Sequence, residues 1–164
     1  IDEQTKTIEV ATSLIEEPNI DSIIRNEALY CRAKVYIKNK QFGLAVVDLN
    51  SVAKEVRTAQ GAEAKYLLAE CYYQLNAIDT AEQEIMSFTQ QQTSHQYWLA
   101  KSLILLADIN VTRNELFQAK QYLLALQKNY RVQDDVQTTI NEKLELINQL
   151  EIQQTNDTTQ IQQL

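Results

Sequence analysis

The chain has 164 residues, among them only 2 Gly and 1 Pro, with 45% hydrophobic and 23% charged residues. Ordinary usage, roughly 7% Gly and 5% Pro, would supply about twenty, and the deficit excludes a hairpin-rich β fold and Gly-rich phosphate loops. The net charge of −7, with basic residues scattered singly, argues against a nucleic-acid-binding face.

Apolar residues recur at helical spacing through most of the chain. Ile8, Ala11, Leu14 and Ile15 predict a first amphipathic helix, ended before Pro18. A second helix is predicted from Ser22 to Lys38 through Ile23, Leu29, Ala33, Tyr36 and Ile37, and a third from Phe42 to about Arg57 through Ala45, Val46, Leu49 and Val52. A fourth is expected after Gly61, carrying Tyr66, Leu67, Ala69 and Tyr72, and a fifth after Asp79, a capping type, with Ala81, Ile85 and Phe88. A sixth begins near Ser94 with Trp98, Leu103, Leu106 and Ile109, and a seventh covers Asn114 to Tyr130 with Leu116, Ala119, Leu123 and Leu126. An eighth, from about Asp134, uses Val136, Ile140, Leu144, Ile147 and Leu150. Short polar stretches between them suit antiparallel helix hairpins. The Gln- and Thr-rich stretch 153–164 reads as a frayed or disordered tail.

The helices repeat in pairs. A small residue is followed three positions later by a tyrosine-like site, then nine residues on by an alanine, and four beyond that by a large aliphatic. The copies are Ala33, Tyr36, Ala45, Leu49; then Ala69, Tyr72, Ala81, Ile85; then Ala107, Asn110, Ala119, Leu123, offset by 36 and 38 residues. Ala11 and Ile15 match the second half of an earlier copy, 34 residues before Ala45 and Leu49. Closely crossing helices need small side chains at the contact, with larger partners filling the groove beside them.

In this spacing the chain resembles the tetratricopeptide repeat family, whose pattern is W-x2-L-G-x2-Y, then A-x3-F, then P. The match covers about Asn26 to Tyr130. It departs from the pattern at the Trp site (Leu29, Lys65, Leu103), at the terminal Pro site (Arg57, Thr93, Arg131) and at Asn110. A plain helical bundle is the alternative. The resemblance implies an all-α, right-handed superhelix of antiparallel helix pairs, closed by a C-terminal capping helix. Its parts would be the second helix of an upstream repeat over 1–17, repeats over 22–57, 61–92 and 94–130, and the cap over 134–152. The N-terminal half-repeat leads us to expect further repeats upstream. The stretches His95 to Ile109 and Ala62 to Tyr73 also resemble the C-terminal end of large multi-repeat proteins of bacterial cell envelopes, which implies a periplasmic or outer-membrane-associated setting.

Catalytic chemistry has little to stand on. The one histidine, His95, reads as a surface or capping residue, because no acid or nucleophile is placed to work with it. Cys31 and Cys71 lie within apolar helical patterns and read as small hydrophobes, a disulfide being the alternative. No His, Cys or acidic cluster has metal-ligand spacing. No cofactor is expected. Asn110-Val111-Thr112 and Asn156-Asp157-Thr158 match the N-glycosylation pattern, but the first falls inside a predicted helix.

The resemblance implies that the first helix of each pair lines a concave groove. Carried onto this register, the groove sites are Glu27, Tyr30, Lys34, Ile37 and Lys38; then Glu63, Tyr66, Glu70, Tyr73 and Gln74; then Lys101, Ile104, Asp108, Val111 and Thr112. Tyrosines on such a face bring contact area with a polar tip; packing between repeats is the other reading for Tyr66 and Tyr73. The carboxylate-gripping sites of chaperone-binding members fall on Tyr30, Lys34, Glu70, Lys101 and Leu105, and only Lys101 fits, so no carboxylate clamp is expected. The expected function is a non-enzymatic scaffold that binds a protein or peptide partner, without nucleic acid or membrane insertion. The alternative is a structural spacer or self-association module, with a homodimer formed through exposed solenoid ends.

Overall fold

A computed structural model describes residues 2–161, which form eight α-helices and, among those residues, no strand. In order they are α1 Glu3–Glu16, α2 Ser22–Lys38, α3 Phe42–Val52, α4 Ala59–Gln74, α5 Ile78–Gln90, α6 Gln96–Thr112, α7 Leu116–Asn129 and α8 Asp135–Ile161. No helix of the described residues is long and apolar enough to cross a membrane. The chain divides into two compact units, Ile1–Leu99 and Ala100–Leu164, with the boundary inside α6.

Two kinds of helix start occur along the chain, and each has its own chemistry. Helices α1, α2 and α4 begin at a side-chain cap: Thr5 N–H donates to Asp2 Oδ1, Ile23 N–H to Asp21 Oδ1, and Gly61 N–H to Thr58 Oγ1. Each cap satisfies an N–H group that the first helical turn leaves without an intrahelical partner. Helix α8 starts the same way, with Val136 N–H donating to Asp134 Oδ1. Helices α3, α5 and α7 have no side-chain cap bond.

Instead, each of these follows the preceding helix through the same tight turn. Lys40, Asn76 and Asn114 take the left-handed conformation, with φ of 57°, 59° and 62°. Their N–H groups donate to the carbonyls of Ile37, Tyr73 and Val111, and the next residues' N–H groups donate to Tyr36, Tyr72 and Asn110. This paired bonding closes the carbonyls left over at a helix C-terminus. The residue after each turn, Gln41, Ala77 or Glu115, then offers its own carbonyl to the N–H of Ala45, Ala81 or Ala119. The alanine of the repeat thus donates its N–H to the residue that opens its helix. The three turns are spaced as the alanines are, so the periodicity of the sequence is also a periodicity of backbone conformation.

The register positions are core positions. Ala33, Ala69 and Ala107, Ala45, Ala81 and Ala119, and Leu49, Ile85 and Leu123 are all essentially without solvent exposure. In the first unit, consecutive helices pack α1 on α2, α2 on α3, α3 on α4 and α4 on α5, and α2 also touches α4. One cluster joins Ala33, Ala45, Leu49, Val52, Ala64, Leu68 and Cys71, and a second joins Val56, Ala62 and Phe88 with Trp98 and Leu99. In the second unit α7 packs on α8, which buries Val136, Ile140 and Ile147. At the third tyrosine-like site Asn110 is buried, and its amide donates to the Leu106 carbonyl at 2.7 Å.

The structure corrects the sequence reading at several element bounds. Helix α3 ends at Val52 rather than near Arg57, and α5 starts at Ile78, so Asp79 lies in its first turn and does not cap it. Helix α4 starts at Ala59, before Gly61, because Thr58 supplies the cap. The tail expected to be disordered from 153 is helical through Ile161, and residues 162–164 lie outside the described residues. Two contacts hold the C-terminal half of α8: Lys120 Nζ of α7 lies 2.7 Å from Glu151 Oε2, and Gln154 Nε2 donates to Oδ1 of Asn114, in the turn before α7, at 2.5 Å.

Candidate protein-binding face

In the first unit the proposed groove residues gather into two clusters. On α2, Tyr30 and Lys34 stand one turn apart, as i, i+4 neighbours do. Lys34 Nζ donates to Tyr30 Oη at 3.2 Å and to Glu63 Oε1 of α4 at 2.9 Å. The Glu63 carboxylate, first, and the phenol raise the Lys34 ammonium above its ordinary pKa. Burial, first, and the bond to Glu63 raise the Tyr30 phenol. One turn before, Gln60 Nε2 of α4 donates to Glu27 Oε2 of α2 at 3.1 Å.

The second cluster lies on α4. Tyr66 Oη donates to Glu70 Oε1 at 2.9 Å, and the Tyr66 ring stacks on Trp98 with centroids 5.7 Å apart. Tyr97 meets the same indole edge-on at 4.8 Å. Tyr73 is half-buried, Ile37 is half-buried, and Lys38 is exposed. The first unit therefore offers an amphipathic surface of aromatic rings with both charge signs beside them. Exposed ion pairs of this kind add little stability, at most about 1 kcal/mol each, so their side chains can be redirected to a ligand at low cost.

In the second unit the proposed groove residues are differently occupied. Lys101 Nζ lies 3.6 Å from Asp135 Oδ2 and Asp108 Oδ1 lies 2.6 Å from Lys143 Nζ, both partners being on α8. Ile104 is 4% exposed and belongs to the core, which corrects its assignment to a binding surface. By repeat register Lys101 and Asp108 correspond to Glu27 and Lys34. Helix α8 thus engages α6 at the same two positions at which α4 engages α2, with the charge signs reversed at both.

Periodicity missed the charged core. Asp48 is 1% exposed on α3, and both of its oxygens accept from Arg32 of α2, whose third bond goes to Thr12 Oγ1 of α1, all at 2.8 Å. Lys65, which stands at a Trp site of the repeat pattern, is buried against Glu84 of α5 at 2.5 Å. Asp48 and Glu84 occupy the same register position, one residue before Leu49 and Ile85. A charged residue next to each fully buried aliphatic was the available signal.

His95 holds loops together. Its Nε2 lies 3.0 Å from the Arg57 carbonyl oxygen, and Thr93 Oγ1 donates to the Val56 carbonyl at 2.8 Å. A carbonyl only accepts, so Nε2 carries the proton in this contact. Cys31 and Cys71 are both free thiols. Among the described residues no three His, Cys, Asp or Glu side chains converge as a metal site would require.

The fold and this surface define an all-α protein of consecutive helix hairpins whose first unit carries an aromatic, mixed-charge face. No protein-family model matches the chain, and neither the curated proteins nor the solved structures give a match.

Proposed function

We propose that the chain is a tetratricopeptide-type superhelical repeat module that binds a protein or peptide partner, without catalysis, through the first-helix face of its first unit. The observation that carries this reading is the threefold recurrence of one turn, at Lys40, Asn76 and Asn114, in step with the buried alanines. Recurrent hairpins place successive first helices side by side, and Tyr30, Lys34, Glu63, Tyr66, Glu70 and Tyr73 then fall on one kind of helix face. Tyrosine supplies a large contact area at low entropic cost. In the second unit, Lys101 and Asp108 act between α6 and α8, so the partner site is placed on α2 and α4.

The test is selection of a random displayed peptide library against the immobilised full chain. Peptides enriched on the wild type should lose binding at least about tenfold with Tyr30→Ala or Glu70→Lys, as truncation of interface anchors does, while far-UV circular dichroism stays unchanged. Retained binding in both variants would refute this placement.

Self-association is the second reading, favoured by the exposure of Ile23 at 76% and Val10 at 52% in the first unit. Light scattering over a concentration series decides it: a monomer at all concentrations excludes this reading.

A further inference from the structure

Two tyrosines of the first unit hold the same place in the repeat. Tyr30 and Tyr66 are offset by 36 residues, as Ala33 and Ala69 are, and one turn after them stand Lys34 and Glu70. On α2 the tyrosine has a cation from its own helix. Lys34 Nζ lies 5.2 Å from the centroid of the Tyr30 ring and donates to Glu63 Oε1 at 2.9 Å, so one ammonium serves a ring and a carboxylate. On α4 the ring is kept and a carboxylate takes the place of the ammonium. Glu70 accepts from Tyr66 Oη at 2.9 Å, and among the described residues no Lys or Arg pairs with it. Asp48, Glu63 and Glu84, the carboxylates that bridge helices of this unit, each have a cation. A half-buried carboxylate is costly to desolvate without a counter-charge, and the phenol fills one of its roughly four acceptor positions.

We infer that Tyr66, Glu70 and Trp98 form a subsite that receives an arginine side chain of the partner. The inference rests on the binding face proposed above and names the partner chemistry that this part of it takes. The rings beside Glu70 suit a cation. Tyr66 and the Trp98 indole lie within 24° of parallel with centroids 5.7 Å apart, and Tyr97 meets the indole edge-on. Ring faces carry the negative part of the aromatic quadrupole and attract cations, the indole most strongly. A guanidinium fits this set better than an ammonium does: it is flat, stacks on aromatic rings and presents a fork of N–H donors to a carboxylate. The net charge of −7 draws a basic ligand and opposes an acidic one.

The probe is the peptide acetyl-Gly-Gly-Arg-Gly-Gly-amide, titrated into the full chain. Trp98 is the sole tryptophan, so its fluorescence reports the subsite directly. We expect a saturable change with a roughly millimolar dissociation constant. The same peptide with citrulline, the uncharged isostere, should bind at least about tenfold more weakly, and the lysine peptide several-fold more weakly. Glu70→Gln keeps an acceptor for Tyr66 and should weaken the arginine peptide about tenfold, with circular dichroism verifying the helices. Glu9→Gln makes the same charge change on an exposed residue of α1 and should leave binding unchanged. Equal binding of the citrulline or lysine peptide overturns the inference, because the guanidinium is then not what is read. Equal weakening by both variants overturns it as well, by showing attraction to the net charge alone. So does the absence of a saturable response. The face is then judged on its own by the library selection: enriched arginine-free peptides that lose binding with Tyr30→Ala retain the face without this subsite.

Discussion

Arg32 grips Asp48 with two parallel bonds of 2.8 Å, Nε to Oδ2 and Nη2 to Oδ1. The carboxylate is out of water, at 1% exposure, while the guanidinium keeps an exposed edge and also donates to Thr12. A single side chain on α2 thereby ties α1 to α3.

Removing one partner should cost far more than removing both. Arg32→Ala leaves a buried carboxylate without its cation, and losses of about 3–5 kcal/mol are usual for that change. The partial exposure of Arg32 places the expected loss at the lower end of that range. The double exchange Arg32→Met with Asp48→Leu replaces two desolvated charges with apolar volume and should return stability to within about 1 kcal/mol of wild type. Urea midpoints of the three variants check this, provided that the slopes agree.

The two glycines should respond in opposite directions to the same substitution. A Cβ on Gly61 would stand 2.0 Å from the Glu55 carbonyl oxygen and 3.0 Å from Thr58 Oγ1. The close atom is backbone, so Gly61→Ala must move the 55–58 turn or the start of α4. We expect a loss of at least about 2 kcal/mol, in the range of overpacking in cores. Gly43 meets nothing within 4 Å and already has helical geometry. Gly43→Ala should raise stability by about 0.4–1 kcal/mol by restricting the unfolded chain. Thermal melts of both variants in one buffer give the comparison.

The repeated turn allows a gain as well. Lys40 holds a left-handed φ of 57° with a Cβ that disfavours it, whereas Asn76 and Asn114 tolerate the same conformation through short polar side chains. Lys40→Gly should stabilise the chain by roughly 0.5–1 kcal/mol, and Asn76→Ala and Asn114→Ala should destabilise it by a similar amount. Melting temperatures of the three variants test the ranking. Three equal losses would show that this turn is not the determinant of helix pairing.

The same turns show how far the sequence could be read. Small residues every 36 to 38 positions were visible, because close helix crossings demand them. The turn was less visible: its left-handed position is filled by Lys, Asn and Asn where glycine is the usual signal, so scarce glycine pointed only away from β hairpins and phosphate loops. Glu84 and Asp48 could be placed on helices by periodicity, but not paired, because their partners Lys65 and Arg32 sit at different distances from the repeat alanine. For the binding face, register indicated which residues share a helix side. It could not show that α8 would engage Lys101 and Asp108. Nor did polar composition reveal the length of α8, since Lys120 on α7 and Asn114 in the turn before it hold its far half through ion-pair and amide contacts rather than apolar burial.

Cys71 sets an alkaline limit on stability. Burial, with Glu70 adding to it, pushes its thiol from the ordinary 9.0 up to about 12. In the unfolded chain the thiol ionises near 9.0, so between that pH and about 12 unfolding releases a proton that the folded chain retains. Stability from this group is therefore fully present below pH 9.0 and is lost progressively as pH rises towards 12. Cys71→Ala removes the titrating group. Its urea midpoint should be lower than wild type at pH 7, because volume is lost from the core. The gap should narrow above pH 9.0 as the wild type loses its advantage. The thiol itself supplies an independent check. At pH 8 a disulfide reagent should modify the half-buried Cys31 first, and Cys71 only at the rate at which the core opens. Rapid modification of both thiols in the native state would contradict the burial assigned to Cys71.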